Sequence, residues 1–290
     1  MENIKFGIEL EFLYYQGLCL SNVRDKLNQL MIDNNLDIHF KIKIYGNSNY
    51  TIWKICKDIS IESEEDYEVL TPFEIISPIL SINDLPFLER FLSVLEEQAP
   101  LMVNSTCGFH VHISKDGQLL SLDEMKKFLK TYLVFEDAID TLHHPTRRLN
   151  DYCNSLRYNS FWEKKTLSNI FRNLNYCFFS WMVILIANPW FGNRDYKVNL
   201  QNQWGWRGHW HHSNKPTIEF RQHIGTFKRE GIINWILLLL ELFSRYEDAF
   251  DEKVLLKLGR LGIRRKLRHF FDIYVVNEKV KKYYLKGMNN

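Results

Sequence analysis

The stretch 108–113 (GFHVHI) carries two histidines at a spacing that could support chemistry. In a β-strand, His110 and His112 would share one face, and Phe109 and Val111 would share the other. Two histidines on one strand face pack poorly in a core but suit a metal or phosphate site. A half-exposed edge strand with two surface histidines is the alternative, and this stretch alone does not decide between them.

Four further stretches alternate apolar residues with acids, a histidine or an arginine in the same way. They are 6–12 with Glu9 and Glu11, 53–61 with Asp58 opposite Trp53, Ile55 and Ile59, 73–76 with Glu74, and 217–223 with Glu219, Arg221 and His223. Five such strands predict a single sheet that packs one face on a core and uses the other as a working surface. Side chains of neighbouring strands on that face would lie close enough to share an ion.

Composition sets the class of protein. A length of 290 residues is enough for one large domain or two modest ones with a sizeable core. The composition, 46% hydrophobic and 25% charged, is ordinary for a globular protein. The net charge of +2 does not favour nucleic-acid binding. Five scattered cysteines without a C-x-x-C pair predict reduced thiols. We therefore expect a cytoplasmic protein that spans no membrane.

The elements around the sheet follow from periodicity and capping signals. A further strand is predicted at 38–45, and Ser121 with Glu124 three positions later predicts a capping box at the start of a helix. The predicted helices cover 21–34, 85–98, 122–142, 161–187, 231–246 and a basic stretch at 254–286. The Trp- and Asn-rich segment 191–213 is predicted as a loop that could cover a substrate, with a metal site at His209, His211 and His212 as the alternative.

The candidate ligands on the working face are many carboxylates with one or two imidazoles. Such oxygen-rich sets suit Mg²⁺ or Mn²⁺ better than zinc, and their number makes two ions plausible. Arg147, Arg148 and Arg221 are then available for an anionic substrate. The chain lacks both common Gly-rich phosphate loops. Reasoning from the residues predicts a metal-dependent enzyme that acts on a phosphate or a carboxylate.

An ordered set of motifs adds a resemblance. The motifs are GIELE at 7–11, DISI at 58–61, EIISP at 74–78, GFHVH at 108–112, RLNDYC at 148–153, YKVNL at 196–200 and EFRQH at 219–223. This set resembles the amidoligase family of the glutamine synthetase-like carboxylate–amine ligase superfamily. The resemblance implies an α+β fold: a curved, mainly antiparallel sheet with helices packed on its convex face. A catalytic domain would cover 1–246, and a basic helical extension would cover 247–290.

The resemblance also implies a reaction and a role for each motif residue. ATP, with two divalent ions, Mg²⁺ or Mn²⁺, would activate a carboxylate as an acyl phosphate, which an amine then attacks to form an amide. The implied metal ligands are Glu9, Glu11, Glu74, His110 and Glu219. Arg221, Arg148 and Asp58 would act in catalysis, and His112, Arg147 and Lys197 would contact the nucleotide or substrate.

Two other functions stay open at this point. A metal-dependent amide hydrolase could use the same H-x-H strand without nucleotide, and a non-catalytic protein could bind a ligand on the same sheet. The expected substrates are a small-molecule or peptide carboxylate and an amine, whose identities the sequence does not determine. We expect no nucleic-acid partner, and the oligomeric state stays open.

Overall fold

A computed structural model describes residues 1–15, 19–43, 49–62, 70–148, 150–189, 195–203 and 215–286. Within these ranges the chain forms a mixed α+β structure with one open, mainly antiparallel sheet. The strands are β1 Ile4–Tyr14, β2 Lys41–Ile42, β3 Lys54–Cys56, β4 Thr71–Ile76, β5 Leu80–Ser81, β6 Leu101–Met102, β7 Gly108–Lys115, β8 Val198–Asn199 and β9 Ile218–Ile224.

Strand β1 is central to the sheet. The order is β2-β3-β4-β1-β7-β9-β8, and the short strands β5 and β6 also pair with β1. Every pairing is antiparallel except β2 with β3. The predicted α+β class and mainly antiparallel sheet are therefore confirmed.

The helices supply the other half of the core. They are α1 Leu20–Asp33, α2 Leu85–Gln98, α3 Leu122–Ile139, α4 Leu167–Asn175, α5 Ser180–Ala187, α6 Arg229–Arg245, α7 Glu252–Leu258, α8 Ile263–Tyr274 and α9 Glu278–Leu285. The predicted capping box is confirmed, because Ser121 Oγ accepts from the Glu124 amide while the Glu124 carboxylate accepts from the Ser121 amide. None of the described helices is both long and apolar enough to cross a membrane.

Alternation along β1 and β7 separates a core face from a polar face. Leu10 and Phe109 are fully buried on the core face. On β9, the ring of Phe220 lies 5.9 Å from that of Phe128 in α3, edge to face. The helices thus cover the apolar side of the sheet and leave the acids and histidines on the other side.

The predicted strand at 53–61 is wrong beyond Cys56. Strand β3 ends there, and Ile59, which was expected to be buried, is 89% exposed. The Asp58 carboxylate accepts hydrogen bonds from the Ser60 amide at 2.8 Å and from its hydroxyl at 2.6 Å. This local turn gives the backbone an alternative to the strand ladder and ends the strand early.

The face predicted for His223 is also wrong, because β9 contains a bulge. Val111 pairs with Phe220, whereas Phe109 pairs with His223, so β9 has one residue more than β7 between these pairs. The extra residue shifts the alternation and turns His223 to the core side, where its ring lies 5.4 Å from that of Phe109. Burial lowers the pKa of His223 to about 4 and keeps the ring neutral near pH 7.

The predicted helix at 161–187 is divided into α4 and α5. Thr166 accepts a hydrogen bond from the Asn169 amide and begins α4 only after a turn. The basic stretch predicted to be helical at 254–286 is confirmed as helical and consists of the three helices α7, α8 and α9. Phe135 of α3 packs against Phe270 and Tyr274 of α8, at ring distances of 5.5 and 5.6 Å. The domain boundary at 246 stays a prediction, and residues on both sides of it share one core.

We predict that Phe135→Ala lowers the free energy of unfolding by about 3–5 kcal/mol, because it opens a cavity between α3 and α8. Urea unfolding would measure the loss. Phe178→Ala is the matched control, since Phe178 is 73% exposed and its truncation should change stability by less than about 0.5 kcal/mol. Equal effects of the two substitutions would contradict a core shared by α3 and α8.

Candidate active site

The polar face brings together side chains from β4, β1, β7 and β9. Glu11 lies opposite Glu74 across β1 and β4, and Glu9 lies opposite His110 across β1 and β7. His112 in turn lies opposite Glu219 across β7 and β9. Residues opposite one another on adjacent strands lie close enough for their side chains to interact.

Glu9, His112 and Glu219 form a cluster, called here the Glu–His–Glu cluster, that could hold a metal ion. Each residue offers one donor atom, and the donor atoms lie within 4.8 Å of one another. His112 Nε2 lies 3.0 Å from Glu9 Oε1, yet it has no hydrogen-bond partner within the described residues. A buried imidazole nitrogen beside two carboxylates is a donor set that fits a divalent cation such as Mg²⁺ or Mn²⁺.

Thr217 orients the histidine of this cluster. Its Oγ1 lies 3.2 Å from His112 Nδ1, which directs the opposite nitrogen toward Glu9 and Glu219. Metal-binding histidines usually have such a contact on the second ring nitrogen, because it sets the tautomer and the ring orientation.

His110 lies beside the cluster and contacts three glutamates. Its Nδ1 is 3.7 Å from Glu9 and 3.8 Å from Glu219, and its Nε2 is 3.5 Å from Glu11. The resemblance implied His110 as the metal ligand and His112 nearer the phosphates, whereas the geometry places His112 in the cluster. The role of His110 as a ligand stays a prediction.

Gly108 provides the space that His110 and Glu11 need. A Cβ at this position would lie 2.6 Å from His110 Nε2 and 3.3 Å from Glu11 Oε2. The Gly108 amide also donates a hydrogen bond of 2.5 Å to Glu11 Oε2. A residue with a side chain at 108 would therefore displace two side chains of the polar face.

Glu74 lies at the β4 edge of the site in a different electrostatic environment. Burial, together with the charge of Glu9, raises the pKa of Glu74 to about 7. The Cys56 thiol donates to its Oε1 at 2.5 Å, and Lys43 Nζ lies 3.6 Å away. The Glu74 carboxyl can therefore gain or lose a proton near neutral pH. Its role as a metal ligand stays a prediction.

Arg221 is the cation next to the cluster on the β9 side. Its Nη1 donates to Glu219 Oε1 at 2.6 Å and lies 3.5 Å from His110 Nδ1. Burial raises the pKa of Glu219, but the charges of Arg221, His112 and His110 together outweigh it and bring that pKa to about 2. The guanidinium is thus adjacent to the place where an anion bound at the cluster would lie.

Two buried residues, Arg147 and Lys197, hydrogen-bond to the backbone of Arg221. Arg147 is buried, and its Nη2 donates to the Arg221 carbonyl at 2.8 Å. The Lys197 carbonyl accepts from the Arg221 amide, and Lys197 Nζ pairs with Asp140 at 2.6 Å. Arg147 and Lys197, predicted to contact nucleotide or substrate, therefore lie against the backbone of β9.

Two other predicted residues lie outside the cluster. Arg148 is exposed and donates to the carbonyl oxygens of Asp140 and His143. Asp58 follows the end of β3 in the turn described above, where its carboxylate bonds to Ser60. Their predicted roles in catalysis stay predictions, and the histidines at 209, 211 and 212 lie outside the described residues.

Sequence reasoning missed Lys215, Thr217 and Gly108. Lys215 Nζ lies 3.4 Å from Glu9 Oε1 and 4.9 Å from the centre of the Tyr50 ring. Thr217 precedes Glu219 by two positions, so the alternation of β9 already placed it on the polar face. Lys215 had no such signal, because the pattern begins after it.

We predict that Gly108→Ala displaces the His110 and Glu11 side chains and lowers the free energy of unfolding by about 1–3 kcal/mol. Urea unfolding would measure it. Gly262→Ala is the matched control, because a Cβ there would have no atom within 4 Å. If both substitutions are tolerated equally, the close approach at Gly108 is not a constraint.

Comparison with known proteins gives one match. A family model described as "Putative amidoligase enzyme" matches residues 2–183. The match includes Glu9, Glu11, Glu74 and both histidines of β7, whereas Glu219 and Arg221 lie beyond it. Searches of curated proteins and of solved structures gave no match. Because the family model covers more than half of the chain, the protein belongs to this amidoligase family.

Proposed function

We propose that the protein is an ATP-dependent carboxylate–amine ligase that forms an amide bond through an acyl phosphate. Membership in the amidoligase family supports an enzyme of the ligase kind. The observation that carries the proposal further is the Glu–His–Glu cluster with Arg221 beside it, because phosphoryl transfer requires cations around the transferred group. We also infer that the sheet corresponds to the catalytic sheet of glutamine synthetase-like ligases.

Glu9, His112 and Glu219 would hold a Mg²⁺ or Mn²⁺ ion. Such an ion, when bound, neutralises charge on phosphate oxygens. Glu11, Glu74 and His110 are the proposed ligands of a second ion, since they lie along the same face toward β4. Four neighbouring carboxylates repel one another, which is a further reason to expect cations here.

Arg221 would bind the phosphoryl group during transfer. In the reaction, a carboxylate oxygen of the substrate attacks the γ-phosphorus of ATP, and the bond to the ADP oxygen breaks. The amine nitrogen then attacks the acyl carbon, phosphate leaves, and the nitrogen loses a proton. Arg221 can stabilise the transferred charge because Arg147 and Lys197 hold its backbone in place.

Arg148 and Lys197 have no direct role in this proposal. Arg148 donates to backbone carbonyls, and the Lys197 ammonium is buried in its pair with Asp140. Asp58 could still orient the amine, because it lies near enough to Glu74 to raise that residue's pKa. The proposed substrates remain a small-molecule or peptide carboxylate and an amine.

We predict that His112→Asn weakens Mn²⁺ binding by at least about tenfold, because it removes a direct nitrogen donor. Electron paramagnetic resonance of free Mn²⁺ during a titration would measure the affinity. His39→Asn is the matched control, since His39 is exposed on a loop far from the cluster in sequence. Unchanged Mn²⁺ affinity in His112→Asn would contradict the assignment of a metal site to this cluster.

We also predict ADP release that requires a divalent cation, a carboxylate and an amine together. Arg221→Gln should lower kcat by about 10²–10³-fold, because it removes a donor to the transferred phosphoryl group. A coupled ADP assay over a panel of acids and amines would measure turnover. Amide hydrolysis without nucleotide would instead support the hydrolase alternative and overturn the ligase.

A further inference from the structure

A cavity opens beside the Glu–His–Glu cluster, and Arg221 is not among the residues that line it. It has a volume of about 340 Å³ within the described residues. Glu9, His112 and Lys215 line it where it meets the cluster, and Tyr50, Pro78 and Ile79 line it elsewhere. The cavity is therefore mainly apolar, with charged groups where it meets the proposed reaction centre.

Gly7 keeps this cavity open. It lies opposite His112 across β1 and β7, on the same face of β1 as Glu9. A Cβ at this position would lie 3.6 Å from Ser77 Oγ and 3.8 Å from the Pro78 carbonyl, which are ordinary contacts. Packing does not require a glycine here, so its effect is the free space above the strand.

Lys215 is the cation at the junction of cavity and cluster. Its ammonium lies 3.4 Å from Glu9 Oε1 and over the Tyr50 ring. A divalent cation at Glu9 would compete for the same carboxylate, and the ammonium would then need another anion. Because Lys215 lines the cavity, an anion bound in the cavity could take the place of Glu9 as its partner.

Among the described residues, two cations lie beside the cluster, and we assign them to two different anions. Arg221 pairs with Glu219 on the β9 side, and its planar guanidinium matches the oxygens of a phosphoryl group. Lys215 pairs with Glu9 on the cavity side and presents a compact point charge. A ligase of the proposed kind must bring a phosphoryl group and a carboxylate together. With Arg221 assigned to the phosphoryl group, Lys215 is the described cation beside the cluster that remains for the carboxylate.

The size and polarity of the cavity restrict the rest of the ligand. A volume of about 340 Å³ is near the lower end of ligand sites, which suits a small acid better than a whole nucleoside triphosphate. Polar groups in the ligand body would have few partners between Tyr50 and Pro78 and would lose hydration. Lys5 and Asp116 also line the cavity.

We infer that this cavity binds the acyl substrate, a small carboxylic acid with an apolar body whose carboxylate pairs with Lys215. The inference rests on the proposed ligase function, because it assigns the first substrate of that reaction. It makes Lys215 and Gly7 determinants of substrate choice.

The test is calorimetric titration of the full chain with 3-phenylpropionate and with 3-phenylpropionamide, its neutral counterpart of similar size. Mg²⁺ and a non-hydrolysable ATP analogue would be present so that Glu9 is engaged. We expect the acid to bind at least about tenfold more tightly than the amide, since one carboxylate–ammonium contact distinguishes them. Lys215→Met should remove this preference and leave the affinity for the amide unchanged.

Two further variants distinguish a specific effect of the Lys215 charge from a general disruption of the fold. Lys54→Met is the matched control, because Lys54 Nζ also lies over the Tyr50 ring, at 5.1 Å, but does not line the cavity. It should retain the preference for the acid. Gly7→Leu should abolish binding of both compounds by filling the cavity, while Mn²⁺ affinity shows that the cluster is intact.

Several results would overturn the inference. They are equal affinities for acid and amide in the unmodified protein, no binding of the acid at millimolar concentration, or displacement of the acid by adenosine. The last result would identify a nucleoside site. A preference for the acid that depends on Lys215, without ADP release for any amine, would contradict the ligase function alone. ADP release whose KM for the acid is unaffected by Lys215→Met would contradict the cavity assignment alone.

Discussion

The repulsion between four glutamates on one face of a sheet is the constraint on which the site depends. Glu9 and Glu11 lie on β1, Glu74 on β4 and Glu219 on β9, and all four are buried or nearly so. Ionised carboxylates at such distances need compensating charge or must take up protons. Each of them has a partner: His112 and Lys215 for Glu9, the Gly108 amide for Glu11, Arg221 for Glu219, and the Cys56 thiol with Lys43 for Glu74. Burial and the charge of Glu9 nevertheless raise the pKa of Glu74 to about 7.

The bulge in β9 connects this charge balance to the rest of the fold. It keeps Arg221 on the polar face while turning His223 into the core beside Phe109. Arg147 bonds to the carbonyl at the bulge, and Asp140 joins the strand from behind by accepting from Gln222 and pairing with Lys197. Buried charges of this kind are costly to leave unpaired, so the network favours one backbone arrangement at Arg221.

The extent of the family match bears on how the site is assembled. Residues 2–183 include β1, β4 and β7, which contribute Glu9, Glu74 and His112. The third member of the cluster, Glu219, comes from β9, beyond the match, and reaches its place because β9 pairs with β7. The arrangement that could hold a cation therefore requires the later part of the chain as well.

Local alternation was enough to indicate which strands carry the polar face. Alternation with period two is a local property, so it correctly indicated β1, β4, β7 and most of β9, with the glutamates and both β7 histidines on one side. The capping pair Ser121 and Glu124 was likewise enough to locate the start of α3. Both signals involve residues a few positions apart.

Which of these side chains contact one another depends on strand pairing and packing in the folded chain. Strand register made His112, rather than His110, the histidine of the cluster, and the bulge removed His223 from the polar face. Neighbouring arginines separated, with Arg147 buried behind β9 and Arg148 at the surface. The contacts of Lys215 with Tyr50 and Glu9 join segments that lie far apart in the sequence. The physical reason is that register, bulges and cavities arise from pairing and packing between segments far apart in the chain, which local periodicity does not encode.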